Sequence, residues 1–429
     1  MKILLINYRY FITGGPERYM FNIKAELEKA GHRIIPFSIK NNKNVKSEYS
    51  QYFTSNIDSN NALFFDQYKP SLKTYFKSIS RQVYSVEVEK DLSELIKKTK
   101  PDVCYLLHHI NKLSPSVIRA CKKNNVPIVH RLSDYYLMCP QAGFFRSGHF
   151  CDECKNNKFS VVKHQCIRNS FFASLLKYIA YKFHKLIKIY NDIDIFVCTN
   201  NFMKKKMIEF GFDSRKLVVI PTFFNKNSWS NKNILKKRPT KEMVRMICAG
   251  NFDESKGTYD LLNAIRQLRD ENSGLNFRLT LVGGLQQKEI NKVLEYVKEN
   301  DLGNIIQVYP SIETKKLQKI YMNSDLSIIP SRWVENMPNV LLESLYFSLP
   351  VIVPKLGCFN EIVDEEVAFK YTPYSVESLR NVIKTVISNP KQISHKSIKC
   401  RKYLEKNFSQ KNHVNTLLKV MTEVIKCSK

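Results

Sequence analysis

The sequence predicts an α/β protein of two doubly wound parallel-sheet domains, on three observations. In the C-terminal half, short apolar runs alternate with helix-periodic stretches, the pattern of parallel strands joined by crossover helices. The N-terminal half repeats this alternation less regularly. At 429 residues, the chain is too long for one ordinary core and long enough for two.

In the first half, apolar runs predict strands over 3–7, 33–37, 103–107, 127–132, 195–199 and 217–220. Thr13-Gly14-Gly15-Pro16-Glu17-Arg18 follows the first of these and opens a helix. Two glycines let backbone approach a ligand closely, and a helix start directs N–H groups at it. A tight βα loop with no ligand has the same sequence. Residues 40–80, rich in Asn, Ser and Lys, read as a variable insertion. Val129-His130-Arg131-Leu132-Ser133-Asp134 ends the fourth strand, and His109 and Asn111 follow the third.

Cys139, Cys151, Cys154 and Cys166 form a compact group with His149 and His164 inside it. One Cys-x-x-Cys pair plus two outer thiols suits either a structural zinc or reduced cysteines. Residues 171–190 then read as a helix. At 100° per residue, Lys177, Lys182, Lys185 and Lys188 share an arc with Tyr178 and Tyr181. Phe172, Leu175, Leu176, Ile179, Phe183, Leu186, Ile187 and Tyr190 fill the other arc. The apolar arc is expected to face the protein, with the lysines solvated or on anionic headgroups.

Residues 225–241 are polar and read as the linker. Beyond them, strands are expected over 244–249, 277–282, 305–309, 326–330 and 351–353, with helices over 288–300 and 314–323 between. Gly250-Asn251 and Lys256-Gly257 follow the first of these strands; Gly283-Gly284 ends the second. Trp333-Val-Glu335-Asn336-Met-Pro338-Asn339-Val340-Leu-Leu-Glu343 lies between the fourth and fifth. Pro338 suits a first helical turn, and about ten helical residues fit behind it. Glu335 then occupies the loop at a strand's carboxyl end, and Glu343 the second helical turn. Ligands of open parallel sheets bind at that edge, and an ionised carboxylate there can accept from two vicinal ribose hydroxyls.

Two glutamates eight apart around a helix start resemble the signature of the retaining GT-B glycosyltransferases of family 4. The resemblance runs from the glycine loop to Glu361. It implies two Rossmann-like domains, 1–224 and 242–395, facing a central cleft, with a 396–429 helix packing back on the first. In that family the first glutamate lies near the transferred sugar and the second binds the nucleotide ribose, roles that fall to Glu335 and Glu343. Gly14, Gly15, Gly250 and Gly283 match the family's glycine turns. Asn336, Pro338, Asn339 and Val340 match its diphosphate-binding helix start, and Glu361 a motif after the last strand, where helix capping is an equal reading. Lys256 matches the lysine that the family usually places five residues after an arginine, facing the diphosphate. That arginine's position holds Asn251 in this chain, and losing a charge-assisted contact costs about 1.5–3 kcal/mol. Arg332 is the substitute cation by spacing. The family's sugar-facing histidine aligns with Ser133, leaving His130 as the candidate in its place.

The implied activity is transfer of a sugar from a nucleotide-sugar, UDP-linked by expectation, to a glycan or lipid-linked acceptor of a bacterial surface polysaccharide. No cofactor is required for catalysis, and zinc is expected only structurally if at all. Eleven cysteines suit a reducing cytosol, and no apolar stretch is long enough to span a bilayer. The net charge of +29 implies attraction to polyanions, which an anionic inner membrane face would satisfy. Two rivals stand beside this reading: a GT-B protein that binds nucleotide-sugar but is impaired in transfer, and a basic polyanion-binding protein with a zinc knuckle. Nucleic acid is not an expected partner on the first reading.

Overall fold

Valine, isoleucine and leucine runs become buried strands wherever a polar turn and an amphipathic helix follow them. The structure, a computed structural model, describes all residues except 59–67, 70, 227–228, 230–242, 272–273, 285 and 429. In chain order the first strands are β1 (Lys2–Asn7), β2 (Arg33–Phe37), β3 (Val103–His108) and β4 (Ile128–Arg131). A small hairpin, β5 (Phe145–Arg146) and β6 (His149–Phe150), precedes β7 (Ile195–Cys198) and β8 (Leu217–Val219). The second half supplies β9 (Val244–Gly250), β10 (Phe277–Gly283), β11 (Ile306–Tyr309), β12 (Leu326–Ile328), β13 (Val351–Pro354) and β14 (Ala368–Tyr371). β14 carries Lys370 among only four residues, too brief a pattern to be read as a strand from sequence.

Two compact units result. The first comprises 1–142, 152–222 and 411–429; the second, 143–151 and 223–410. The first sheet runs β2-β1-β3-β4-β7-β8 and the second β11-β10-β9-β12-β13-β14, every pairing parallel. Strand order reverses between β1 and β3 in one and between β9 and β12 in the other. Crevices at the carboxyl ends of such switch points are where doubly wound sheets bind ligands.

Several boundaries differ from the sequence reading. The hairpin residues 143–151, inside the cysteine segment, belong to the second unit. There the Gly143 carbonyl accepts from the Val334 N–H at 3.2 Å. Most of the 225–241 linker lies outside the described residues, but Trp229 is buried in the second unit's core. It meets Phe347 edge-on at 5.0 Å. Of the 40–80 insertion, the described parts include a single turn at Ser50–Tyr52 and a helix, Leu72–Val83. The 396–429 segment is not one helix but parts of two, Pro390–Asn407 and Gln410–Ser428. The earlier helix stays in the second unit, where Arg401 Nε donates to the Tyr346 carbonyl (2.9 Å). From Lys411 onward the later one belongs to the first unit. There His413 Nε2 lies 2.8 Å from the Tyr19 hydroxyl and His413 Nδ1 lies 2.7 Å from the Pro221 carbonyl.

The largest correction concerns the basic helix, Phe171–Leu186. Its inward face carries Ser174, Lys177, Ala180 and His184, while Phe172 (80% exposed), Ile179 (51%) and Leu186 (78%) form a stripe in solvent. Periodicity sorts residues into arcs, but the neighbours decide which arc is buried. The interior here offers acceptors: Asn111 and the Tyr136 hydroxyl for Lys177, and the Val83 carbonyl for His184. The Leu72–Val83 helix packs beside it and likewise exposes Leu72, Tyr75, Phe76 and Ile79.

Candidate active site

In the second unit, the loop after β9 is built on glycines that no other residue replaces. Gly257 has φ +70° and precedes the Thr258–Asp270 helix; a Cβ there would lie 1.9 Å from the Pro330 carbonyl oxygen. At Gly283 a Cβ would lie 1.8 Å from the Gly250 carbonyl oxygen, since Gly283 and Gly250 are register partners on β10 and β9. Thus the two glycine turns read separately from sequence form one surface at the carboxyl edge.

This close approach brings the β9 loop onto the segment after β12. The Ser255 carbonyl accepts from the N–H groups of Arg332 (2.9 Å) and Trp333 (3.1 Å). Lys256 Nζ consequently lies 2.6 Å from Glu335 Oε1 and 4.2 Å from the centre of a Trp333 ring. Ser331 Oγ donates to the same carboxylate oxygen at 2.7 Å. Burial alone would raise the Glu335 pKa. The Lys256 charge and the hydrogen bonds outweigh it and hold the group below its ordinary value. Lys256 remains a quarter exposed against 9% for Glu335, so a ligand anion can reach the cation.

Glu343 sits in the Asn339–Tyr346 helix, whose N-cap is Pro338, one position earlier than the first-turn role read from sequence. Among the described residues no side chain caps that start, so the first-turn N–H groups at Asn339 and Val340 have no intrahelical acceptor. Glu343 is 8% exposed, and its Oε2 accepts from the Tyr321 hydroxyl at 3.0 Å. Tyr321 stacks on Phe347 with ring centres 5.1 Å apart, which fixes the phenol that orients the carboxylate. Glu361 is exposed on the Phe359–Ile362 turn. It and Glu335 both act on the buried Cys358 thiol, whose pKa rises first from burial and then from these two charges.

The cations are not arranged as the sequence reading had them. Asn251 accepts from Thr258 Oγ1 through its backbone carbonyl (3.4 Å). Arg332 is held by two carboxylates, Nε to Asp260 Oδ2 at 3.5 Å and an Nη to Glu254 Oε1 at 3.6 Å. Arg332, which the spacing offered as the substitute cation for Asn251, is thus engaged by two carboxylates of the second unit.

In the first unit, Gly14 caps the Gly15–Lys29 helix with extended backbone and no side-chain bond. Glu17 in its first turn is 2% exposed and accepts from Thr13 Oγ1 at 3.0 Å, with an Arg9 Nη 3.7 Å away; Arg18 is exposed. The Tyr8 N–H donates to the His108 carbonyl (2.9 Å), and the two rings meet edge-on at 4.8 Å. His108 Nε2 lies 3.3 Å from Asp134 Oδ2. Tyr8, His108 and Asp134 follow or end β1, β3 and β4, so they meet at the carboxyl edge across the switch point.

His130, the histidine singled out from sequence, belongs to the sheet interior. It is 3% exposed, its Nδ1 lies 3.0 Å from the Leu106 carbonyl, and burial lowers its pKa to about 4. His109 is also buried, with its ring 5.2 Å from that of His130. Ser133 accepts from Arg131 at 3.2 Å. The edge histidine is instead His108, and the signal for it was position: the last residue of a strand. Asn111 adopts φ +60° in the following loop and accepts from Lys177. Among the described residues Cys139, Cys151, Cys154 and Cys166 form no disulfide, and Cys151 lies in the second unit and the others in the first. Among the described residues, no three His, Cys, Asp or Glu side chains are grouped to hold a metal ion.

These are two Rossmann-like units, each with its polar and charged groups at a switch point, the GT-B fold class. The family model of glycosyltransferase family 4 matches residues 13–227, and that of glycosyl transferases group 1 matches 228–409. The chain belongs to this family of glycosyltransferases. An uncharacterised 42.6 kDa protein in the cps region of Klebsiella pneumoniae is 22% identical over 379 residues, 84% of this chain and 87% of that one. Among solved structures, sucrose-phosphate synthase from Thermosynechococcus elongatus superposes with a TM-score of 0.71 at 16% identity, covering 99% of both chains. Anabaena HepE in complex with UDP and glucose gives 0.66 at 15% identity, covering 99% of this chain and 100% of that one.

Proposed function

We propose that this glycosyltransferase is a retaining, metal-independent enzyme that takes a UDP-sugar and extends a glycan or lipid-linked glycan of a bacterial surface polysaccharide. The observation that carries the reading is the pair of glutamates at the edge of the second sheet. Glu343, oriented by Tyr321, suits a ribose diol, and Glu335, paired with Lys256, suits the sugar beside the diphosphate. The UDP and glucose bound by Anabaena HepE and the cps location of the Klebsiella relative support the donor and the pathway class.

In this reading, Lys256 and the N–H groups at the Asn339–Tyr346 helix start supply positive charge as the bond from the anomeric carbon to the diphosphate breaks. The acceptor oxygen bonds to that carbon on the same face, and its proton passes to the departing diphosphate. Glu335 holds the sugar and is not the covalent nucleophile. Asn251 and the engagement of Arg332 by Asp260 and Glu254 favour a second reading, donor binding with slow transfer.

No helix among the described residues is long and apolar enough to cross a membrane. We assign the enzyme to the inner face of the plasma membrane as a peripheral protein. The support is two adjacent helices, Leu72–Val83 and Phe171–Leu186, that expose apolar side chains and contain lysine but no Asp or Glu.

The test is thermal stabilisation by UDP, GDP, ADP and CDP, repeated with Glu343→Ala. One nucleotide, UDP by expectation, raises Tm, and the variant binds it about tenfold or more weakly, consistent with a lost charged hydrogen bond. No shift with any of the four overturns the donor reading. A UDP shift without turnover on any offered acceptor selects the slow-transfer reading.

A further inference from the structure

The first unit contains a cavity of about 520 Å³ that the donor chemistry does not use. It lies behind the Phe171–Leu186 helix, walled on other sides by residues 136–140 and 210–216. Five lysines line it: Lys158, Lys177, Lys185, Lys188 and Lys216. Among the described residues the one acidic lining residue, Asp213, is bound by Arg215 at 2.8 Å. Between the lysines stand Tyr136, Tyr178, Tyr181, Tyr190, Phe196 and Phe210.

Two of the lysines are poorly compensated where they are. Lys177 is 5% exposed and donates to Asn111 and the Tyr136 hydroxyl, both neutral. Lys158 donates to the Met138 carbonyl at 3.0 Å and lies over the rings of Tyr181 (4.6 Å) and Phe210 (4.5 Å). Among the described residues, neither is within ion-pair distance of a carboxylate. Desolvation lowers their pKa values to about 7 and about 8, and the opposing pull of Asp134 on Lys177 and of the Cys154 and Cys139 thiols on Lys158 offsets it only in part. An anionic ligand would offset that cost.

Size and lining narrow the ligand. Pockets of about 300–1,000 Å³ take molecules far larger than one phosphate. The ring-lined walls and Leu137, Met138 and Val161 suit an apolar body. Lys185 and Lys188 are exposed and open the cavity to the same helix that carries the Phe172–Ile179–Leu186 stripe. An anion delivered from a bilayer, with an apolar chain behind it, fits both features.

We propose that this cavity binds a lipid phosphate, with Lys158 and Lys177 on the phosphate and the tyrosine and phenylalanine rings along the first part of the chain. The site would hold the lipid-phosphate end of the acceptor, and for that role it rests on the lipid-linked reading above.

The test is calorimetric binding of decyl phosphate, below its micelle concentration, to the full chain. Decanol, inorganic phosphate and decyltrimethylammonium serve as comparators. Decyl phosphate binds and the comparators bind at least about tenfold more weakly, because each lacks the anion, the chain or the right sign. Lys158→Met and the exposed Lys185→Glu each weaken binding severalfold, while their UDP-induced Tm shift stays at the parent value. Absence of decyl phosphate binding, or equal binding in both variants, overturns the site. Equal binding of inorganic phosphate overturns the lipid assignment. A UDP shift without lipid phosphate binding removes this proposal and leaves the donor reading standing; the converse removes the donor reading alone.

Discussion

Lys256 and Glu335 neutralise each other at 2.6 Å, and this pairing has a consequence for catalysis. On the donor reading proposed above, a diphosphate arriving at Lys256 would compete with a carboxylate already in place, and the cation would be positioned before the donor binds. Glu335→Gln keeps the size of the side chain and its bond from Ser331 but removes the charge facing Lys256. Turnover is expected to fall about 10²–10³-fold, as when one electrostatic contact to a transition state is lost. Nucleotide affinity is expected to stay within severalfold, because the proposed donor reading gives the ribose contact to Glu343. Product formation and nucleotide binding measured side by side check this; loss of both together would make Glu335 a structural residue. At this scale residue type and spacing pointed to Glu335 and Lys256, which the fold brings within 2.6 Å of each other, and to Glu343, which it buries against Tyr321. The sequence was misleading at His130, because one step along a strand separates a residue in the core from one at the edge, and only the register with β3 distinguishes them.

Among elements, the Phe171–Leu186 and Leu72–Val83 helices depart furthest from what periodicity alone suggests. Each has a stripe of apolar residues at helical spacing, and in each the stripe faces solvent. Among the described residues nothing covers either stripe, and in the membrane reading proposed above an apolar face with basic surroundings is what docks on headgroups. Cosedimentation with vesicles is the direct check. The parent protein is expected to bind phosphatidylglycerol-rich vesicles and not neutral ones, and to release as salt screens the lysines. A triple variant, Phe172→Glu, Ile179→Glu and Leu186→Glu, is expected to lose binding by about 100-fold or more, since each side chain contributes roughly 1.5–3 kcal/mol when buried. Its UDP shift is unaffected. Equal sedimentation of the parent with neutral and anionic vesicles would refute the basic half of the surface.

At the scale of the molecule, the first unit keeps several histidines uncharged. Burial lowers His130 and His413 to about 4, and His109 well below its ordinary value. Above about pH 6.5 these imidazoles are neutral folded and unfolded, and contribute no pH dependence. Below it the unfolded chain binds protons that the folded one refuses, so stability falls from about pH 6.5 toward pH 4. For His130 and His413 the loss is on the order of 2 kcal/mol each by pH 5. Melting curves between pH 7.5 and 4.5 should show Tm dropping steeply through this window. His413→Asn should flatten the drop by about one proton's share, whichever way it moves Tm at pH 7.5. A Tm constant from pH 7 to pH 5 would contradict the neutral buried state.

What the sequence determined by itself was the alternation of strands and helices, the two doubly wound sheets and the glutamate pair around a helix start. Each of these depends on residues close together in the chain: periods of two and 3.6, glycine at tight turns, proline at a helix start. Tertiary structure decided which way an amphipathic helix faces, as at Lys177, and which histidine reaches the sheet edge, as at His108. It also decided which unit owns an inserted hairpin, as at Gly143 beside Val334, and whether Arg332 is free for a ligand or held by Asp260. Those outcomes depend on partners far away in sequence, whose hydrogen-bonding groups and volumes select among arrangements that local pattern leaves equal.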